Sequence, residues 1–163
     1  MKSNHYTHSL YYKLLIGYLI FGLLGFITIA TISSEMTYHH LVERESEVLY
    51  DEATMIADRC SKAYEGKTIN LDSAYPQIEA VSAYLQSDIW ILNHEGTIVA
   101  DSSDSRTGIA IDDFDPTAQG NRLYSIGQYY NLFDSKVLSV SAPITGNMKT
   151  YGYIVIHMPI QNI

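Results

Sequence analysis

"DIWILNHEGTIVADSSD", residues 88–104, is the stretch on which the reading of the fold turns. Two apolar runs flank a polar turn, His94-Glu95-Gly96, and a cluster of aspartates and serines follows. The runs have the length and β-branched content of paired strands, and the glycine falls where a short hairpin loop calls for a positive φ. The rival reading places the same His, Glu, Asp and Ser in a hydrolase or metal site. The surrounding chain decides between them.

Downstream, "NRLYSIGQYYN" (121–131) is a weaker strand signal, and "KVLSVSAPI" (136–144) alternates Leu138, Val140, Ala142 and Ile144 with Val137, Ser139 and Ser141. "TGNMK" (145–149) reads as a turn on Gly146-Asn147, and "YGYIVIHM" (151–158) as the last strand. Short consecutive strands joined by tight turns imply an antiparallel sheet with helices on one side, an α+β fold.

Upstream, "LDSAYPQIEAVSAYLQS" (71–87) reads as a short helix, with Ser73 as its cap, Pro76 in its first turn, and Ile78, Val81 and Leu85 on one face. Before it, no Pro or Gly occurs between Glu35 and Glu65, and Gly66 is placed to end a helix. Within that run Val42, Ser46, Leu49, Ala53, Ile56, Cys60 and Ala63 recur at alternating spacings of four and three, one stripe on a helix, with Leu41, Val48 and Met55 widening it. The seam is expected to pair with a second copy of the chain in its membrane-near half and to pack on the domain in its far half.

Residues 14–34, "LLIGYLIFGLLGFITIATISS", carry no charge and are long enough to cross a bilayer core of about 30 Å. The run exceeds the apolar core of a secretory signal and ends in a poor cleavage site, so an uncleaved anchor is expected. Lys2 and Lys13 precede it and Glu35, Glu43, Glu45 and Glu47 follow, which puts the N-terminus in the cytoplasm and the rest outside. The segments read as a cytoplasmic N-terminus (1–13), a membrane helix (14–34), a juxtamembrane dimerisation helix (35–66) and an extracellular sheet domain (67–158), followed by residues 159–163.

The exported part holds all eighteen acidic residues and eight of the ten Lys and Arg, a net charge of −10. That excludes nucleic acid as a partner, since phosphates need basic surface. Cys60 is the single cysteine, so no intrachain disulfide can form.

Catalytic and metal patterns are weak. "YHHLVERESE" (38–47) lacks the proline of a phosphoacceptor box and lies on the side without ATP. No H-E-x-x-H or C-x-x-C occurs, and Asp112, Asp113 and Asp115 lack EF-hand spacing, leaving at most a weak surface cation site. Ser102 has neither a nucleophile elbow nor an evident histidine partner. No catalytic residue, resident metal or cofactor is assigned. Small-ligand binding suits the chemistry better, because a sensing pocket needs aromatic lining and a few oriented polar groups. Tyr124, Tyr129, Tyr130 and Tyr153 are the aromatic candidates, with Phe133 and Tyr151 as further material. Arg106 and Arg122 could face a carboxylate, Asp101 an amine, and Ser102 and His157 complete the set.

"DIWILNHEGTIVADSS", "YYNLFDSKVLSVSAPI" and "GYIVIHMPI", in that order behind an N-in anchor, resemble the extracellular sensor domains of membrane histidine kinases of Gram-positive bacteria. The resemblance implies a PAS-like, single-Cache fold: a five-stranded antiparallel sheet with a long helix behind it and a loop-covered face where small molecules bind in some relatives. It also implies that this anchored chain, a homodimer by its helix seam, is the N-terminal sensing half of an integral membrane receptor, with 67–158 as the sensor sheet and 159–163 as the start of a link to a second membrane helix, and that the output module is not revealed by this half. In such a receptor a charge at Leu49 or Ile56 is expected to disturb signalling without abolishing expression. A membrane-anchored adhesion or assembly module binding a protein partner is the competing reading.

Overall fold

The computed structural model describes residues 5–63, 71–116 and 124–163. Uninterrupted helix-compatible sequence gives one long helix, α1 (His5–Ala63). The chain divides into two compact units, Met1–Leu41 and Val42–Ile163.

From His5 the first unit is helical, exposed from Leu10 onward, and by length and composition apolar enough to cross a membrane. Its threonines suit an apolar surrounding. The Thr28 and Thr31 hydroxyls each donate 2.8 Å bonds to carbonyls four residues back, which pairs both of these protons within the helix.

In the second unit, α1 buries Val42, Ser46, Leu49, Ala53, Ile56 and Cys60, the four-three stripe read from the sequence. All but Ser46 belong to one aliphatic cluster with the sheet. The expected division of this stripe between chains is therefore corrected: Val42, at its membrane-near end, is already in the domain's own core. Val48 and Met55 do not widen it, because each precedes a buried residue by one position and turns about 100° away, into solvent.

Helix α2 (Leu71–Leu85) starts earlier than expected, so Pro76 lies inside it rather than in its first turn. That costs the hydrogen bond its missing N–H would have made one turn back. Ile78 is buried, and Val81 and Leu85 pack beside it on the core. Gly66 and Arg122 lie outside the described residues.

The strands are β1 (Asp88–Asn93), β2 (Ile98–Asp101), β3 (Tyr124–Gly127), β4 (Val137–Gly146) and β5 (Lys149–Pro159). They form one antiparallel sheet in the order β2-β1-β5-β4-β3, so the last strand in sequence is central. The β1–β2 hairpin turns as read. Gly96 adopts φ +87°, and the Asn93 side-chain oxygen accepts from the Glu95 and Thr97 backbone N–H groups at 3.0 and 2.8 Å. The β4–β5 turn falls one residue later than expected, on Asn147-Met148, both left-handed, because a bulge at Ile144/Thr145 shifts the register. Gly152 is required where β5 crosses β1: a Cβ there would lie 2.1 Å from the Leu92 carbonyl oxygen.

Strand alternation divides the sheet into two chemically different faces. Ile89, Ile91, Leu138, Val140, Ala142, Ile144, Ile154 and Ile156 face the helices. Trp90, Leu92, Ile98 and Val155 face the other way, beneath loops carrying Ile111, Phe114, Tyr129, Leu132 and Phe133.

Candidate functional site

Asp101 builds the loop that borders this second face. It ends β2 fully buried, and its two carboxylate oxygens accept from the Ser103, Ser105 and Arg106 backbone N–H groups at 3.0–3.2 Å and from the Ser103 and Ser105 hydroxyls. One acceptor thus satisfies donors across five residues and folds the chain back. The following segment runs along the outer edge of β2, with Thr97 bridged to Ala110, and closes that edge.

The loop carries Arg106 inward. Its guanidinium lies 5.6 Å from the Trp90 ring centre and 4.8 Å from that of Phe133. Trp90, 0 % exposed, is the hub: Phe133 stacks on it at 5.3 Å and 9°, His157 meets it edge-on at 4.2 Å, and Tyr129 at 5.9 Å. His157, 1 % exposed, has Nδ1 2.8 Å from the Ser139 hydroxyl on the neighbouring strand and also touches Tyr129 and Phe133.

Two polar atoms in this cage, Trp90 Nε1 and His157 Nε2, are buried without a hydrogen-bond partner among the described residues. Such groups are rare and costly in native interiors, at about 1–3 kcal/mol each, and their coincidence marks a site. The electrostatics are equally particular. Burial, then the neighbouring Arg106 charge, hold the His157 imidazole well below its ordinary pKa, so it is neutral. Burial raises Asp88, which pairs with His157 across β1 and β5, with Asp101 adding to the rise and Arg106 opposing it. Burial also pushes the Tyr129 phenol upward.

Tyr129 and its neighbours form the cover. Tyr129, Tyr130 and Asn131 have φ of +37°, +52° and +60°, three successive side-chain-bearing residues in the left-handed region. Tyr129 also lines a cleft of ≈ 340 Å³, together with Pro116, Ser125, Gly127, Tyr130 and Ser141 among others. Tyr130 also ties down the preceding loop, its hydroxyl accepting from the Asp115 N–H at 3.1 Å.

Of the candidates read from the sequence, Arg106, Tyr129 and His157 meet in one cage, and Tyr130 borders the cleft beside it. Tyr153 shares the face but packs on Phe114. Tyr124 does not join them: paired with Val140, it faces the helices. Asp101 and Ser102 have structural roles, Ser102 accepting from the Ile89 N–H at 3.0 Å. Trp90 and Ser139 were missed. Alternation from Asp88 places Trp90 on the face opposite Ile89 and Ile91, but only strand pairing brings Ser139 opposite His157.

No protein-family model and no curated protein matches this sequence. Solved structures do match. One is the sensor domain of the histidine kinase DctB from V. cholerae, at TM-score 0.50 and 12 % identity over 82 % of this chain and 57 % of that one. Another is the extracellular domain of rpHK1S-Z16, described as a histidine kinase, at TM-score 0.52 and 17 % identity over 80 % and 58 %. This chain thus spans less than two thirds of either. A long helix, a five-stranded antiparallel sheet and a loop-covered second face give this chain the fold of the PAS-like extracellular sensor domains found in these proteins.

Proposed function

We propose that the chain is the signal-sensing part of a membrane receptor. Residues 14–34 anchor it, the N-terminus lies in the cytoplasm, and Val42–Ile163 lie outside and bind a small molecule under the loops of the second face. The observation that carries this reading is the pair of buried, partnerless polar atoms, Trp90 Nε1 and His157 Nε2, inside an aromatic cage. The likeness in fold to histidine-kinase sensor domains supports it.

The path to the helix is short. Trp90 lies between Ile89 and Ile91, and His157 between Ile156 and Met158, all four packed in the cluster with α1. A ligand that repositions Trp90 or His157 therefore moves residues in contact with the helix layer. Shifts of about 1–2 Å suffice in known switches, provided the ligand binds the two states differently. The output module is a histidine kinase in this proposal, and the receptor a homodimer. Leu41, Val48 and Met55, exposed at seven-residue spacing on α1, are apolar residues available to meet a second copy.

The test is a thermal-shift screen of the full chain in detergent micelles against organic acids, amino acids, amines and divalent cations. Saturable stabilisation by one class is the expected result. Failure of every class, together with a stable complex with an extracellular protein, would replace sensing with the adhesion reading.

A further inference from the structure

The chemistry of the cage narrows what it can hold, given the reading of this face as a sensing site. Arg106 is half-buried and forms no ion pair among the described residues. Its guanidinium makes only two long bonds, 3.2 Å to the Ser105 hydroxyl and 3.3 Å to the Leu132 carbonyl. In an exported part of net charge −10, a cation left without a carboxylate is conspicuous. Two carboxylates are at hand: Asp101 has both oxygens engaged by its own loop, and Asp88 feels the Arg106 charge without forming an ion pair with it among the described residues. Trp90 Nε1 can only donate, and no acceptor among the described residues reaches it. Arg106 and Trp90 thus present donors around flat aromatic faces, and His157 Nε2 is a third donor in the tautomer whose Nδ1 accepts from the Ser139 hydroxyl, a set that suits an anion with a planar body and disfavours an amine.

We propose that the site takes a small aromatic or heteroaromatic carboxylate, admitted when Tyr129 swings aside. The ring inserts between Trp90 and Phe133 or replaces Tyr129 against them. The carboxylate takes the Arg106 fork and the Trp90 N–H, and His157 Nε2 meets a ring heteroatom or the second oxygen. Tyr129 is the movable wall because it both touches Trp90 and His157 and lines the ≈ 340 Å³ cleft, and it is the first of three consecutive left-handed residues. A cleft of that volume lies in the range that small ligands occupy.

Trp90 is the chain's only tryptophan, so its emission reports this site alone. The full chain in detergent micelles is titrated with benzoate, nicotinate and indole-3-carboxylate, and with nicotinamide, benzylamine and succinate as contrasts. The expected result is a saturable change in Trp90 emission with a matching rise in Tm for at least one aromatic carboxylate, and a much weaker response to the contrasts. Arg106→Gln, melting as the wild type does without ligand, should bind that carboxylate roughly tenfold or more weakly, and Arg106→Lys should recover only part of the loss. An equal response to nicotinamide or benzylamine, undiminished binding by Arg106→Gln, or silence across the three aromatic carboxylates at millimolar concentration overturns the proposal. If an aliphatic acid, an amine or a cation then stabilises the protein in the broad screen, the ligand class is wrong and the sensing reading stands. If nothing does, both fall.

Discussion

The two faces of the same sheet are built from alternate residues of the same strands and obey different rules. Against the helices, Ile89, Ile91, Leu138, Ile154 and Ile156 meet Leu49, Ala53, Ile56 and Cys60 in an all-aliphatic layer. The one buried hydroxyl on this side of α1, Ser46, is satisfied by the Glu43 carbonyl at 2.7 Å. One residue along each strand, Trp90 and His157 bury polar nitrogens with no partner beneath a strained loop. Stability is concentrated on the first face and forgone on the second, which is where a binding partner could restore it.

The sharpest way to break this comparison is to attack the aliphatic face. Leu49→Ala, at a fully buried position, should destabilise by about 3 kcal/mol in chemical denaturation. Aspartate at Leu49 or Ile56 leaves a charge in a dry layer, so unfolding and loss of expression are expected rather than a selective signalling defect. A folded, well-expressed Leu49→Asp protein would show that this face does not carry the stability.

Asp101→Ala probes the border of the second face. It strips the Ser103, Ser105 and Arg106 N–H groups of their acceptor and should cost about 2 kcal/mol while releasing Arg106 from the cage. Altered Trp90 emission would report the release, and unchanged emission would separate the loop from the cage.

Acidification acts through His157. The unfolded chain binds its proton near the ordinary 6.5, whereas the buried imidazole resists it to well below that. Between those values the unfolded state holds more protons, so stability falls as pH drops through 6.5 and levels off above it. Asp88 runs the other way: its folded form keeps a proton above the ordinary 3.8, so it favours folding as pH falls toward that value. Tm measured from pH 7 to 5 should decline in the wild type, and the decline should flatten in His157→Gln but persist in Asp88→Asn.

The smallest expected effect is a gain. Asn131→Gly removes the left-handed strain at φ +60° and should stabilise the ligand-free protein by about 0.5 kcal/mol, less the entropy glycine adds to the unfolded chain. Within the lid proposal it should also weaken carboxylate binding, because the closed state is favoured. Tighter binding would place the strain on the wrong side of the equilibrium.

Much of this was legible beforehand. The hairpin at Gly96, the four-three stripe of α1 and the alternation of β4 are periodic or conformational signals written in neighbouring residues, and each appears where the sequence put it. The errors lie where spacing alone cannot decide. Tyr124 and Tyr129 look equivalent as aromatic candidates, yet the β3–β4 register turns Tyr124 to the helices. Asp101 reads as a free acid until its loop closes on it. Val42 reads as available to a second chain until the domain buries it.

By itself the sequence determined the apolar span, the α+β class and which residues in each element share a face, because these follow from local periods of 3.6 and 2. The tertiary structure alone decided that β5 runs between β1 and β4, and so that His157 stands against Ser139, Trp90 and Asp88. Those partners come from segments 18 to 69 residues away, and only long-range strand pairing selects them. The candidate site is a product of that pairing.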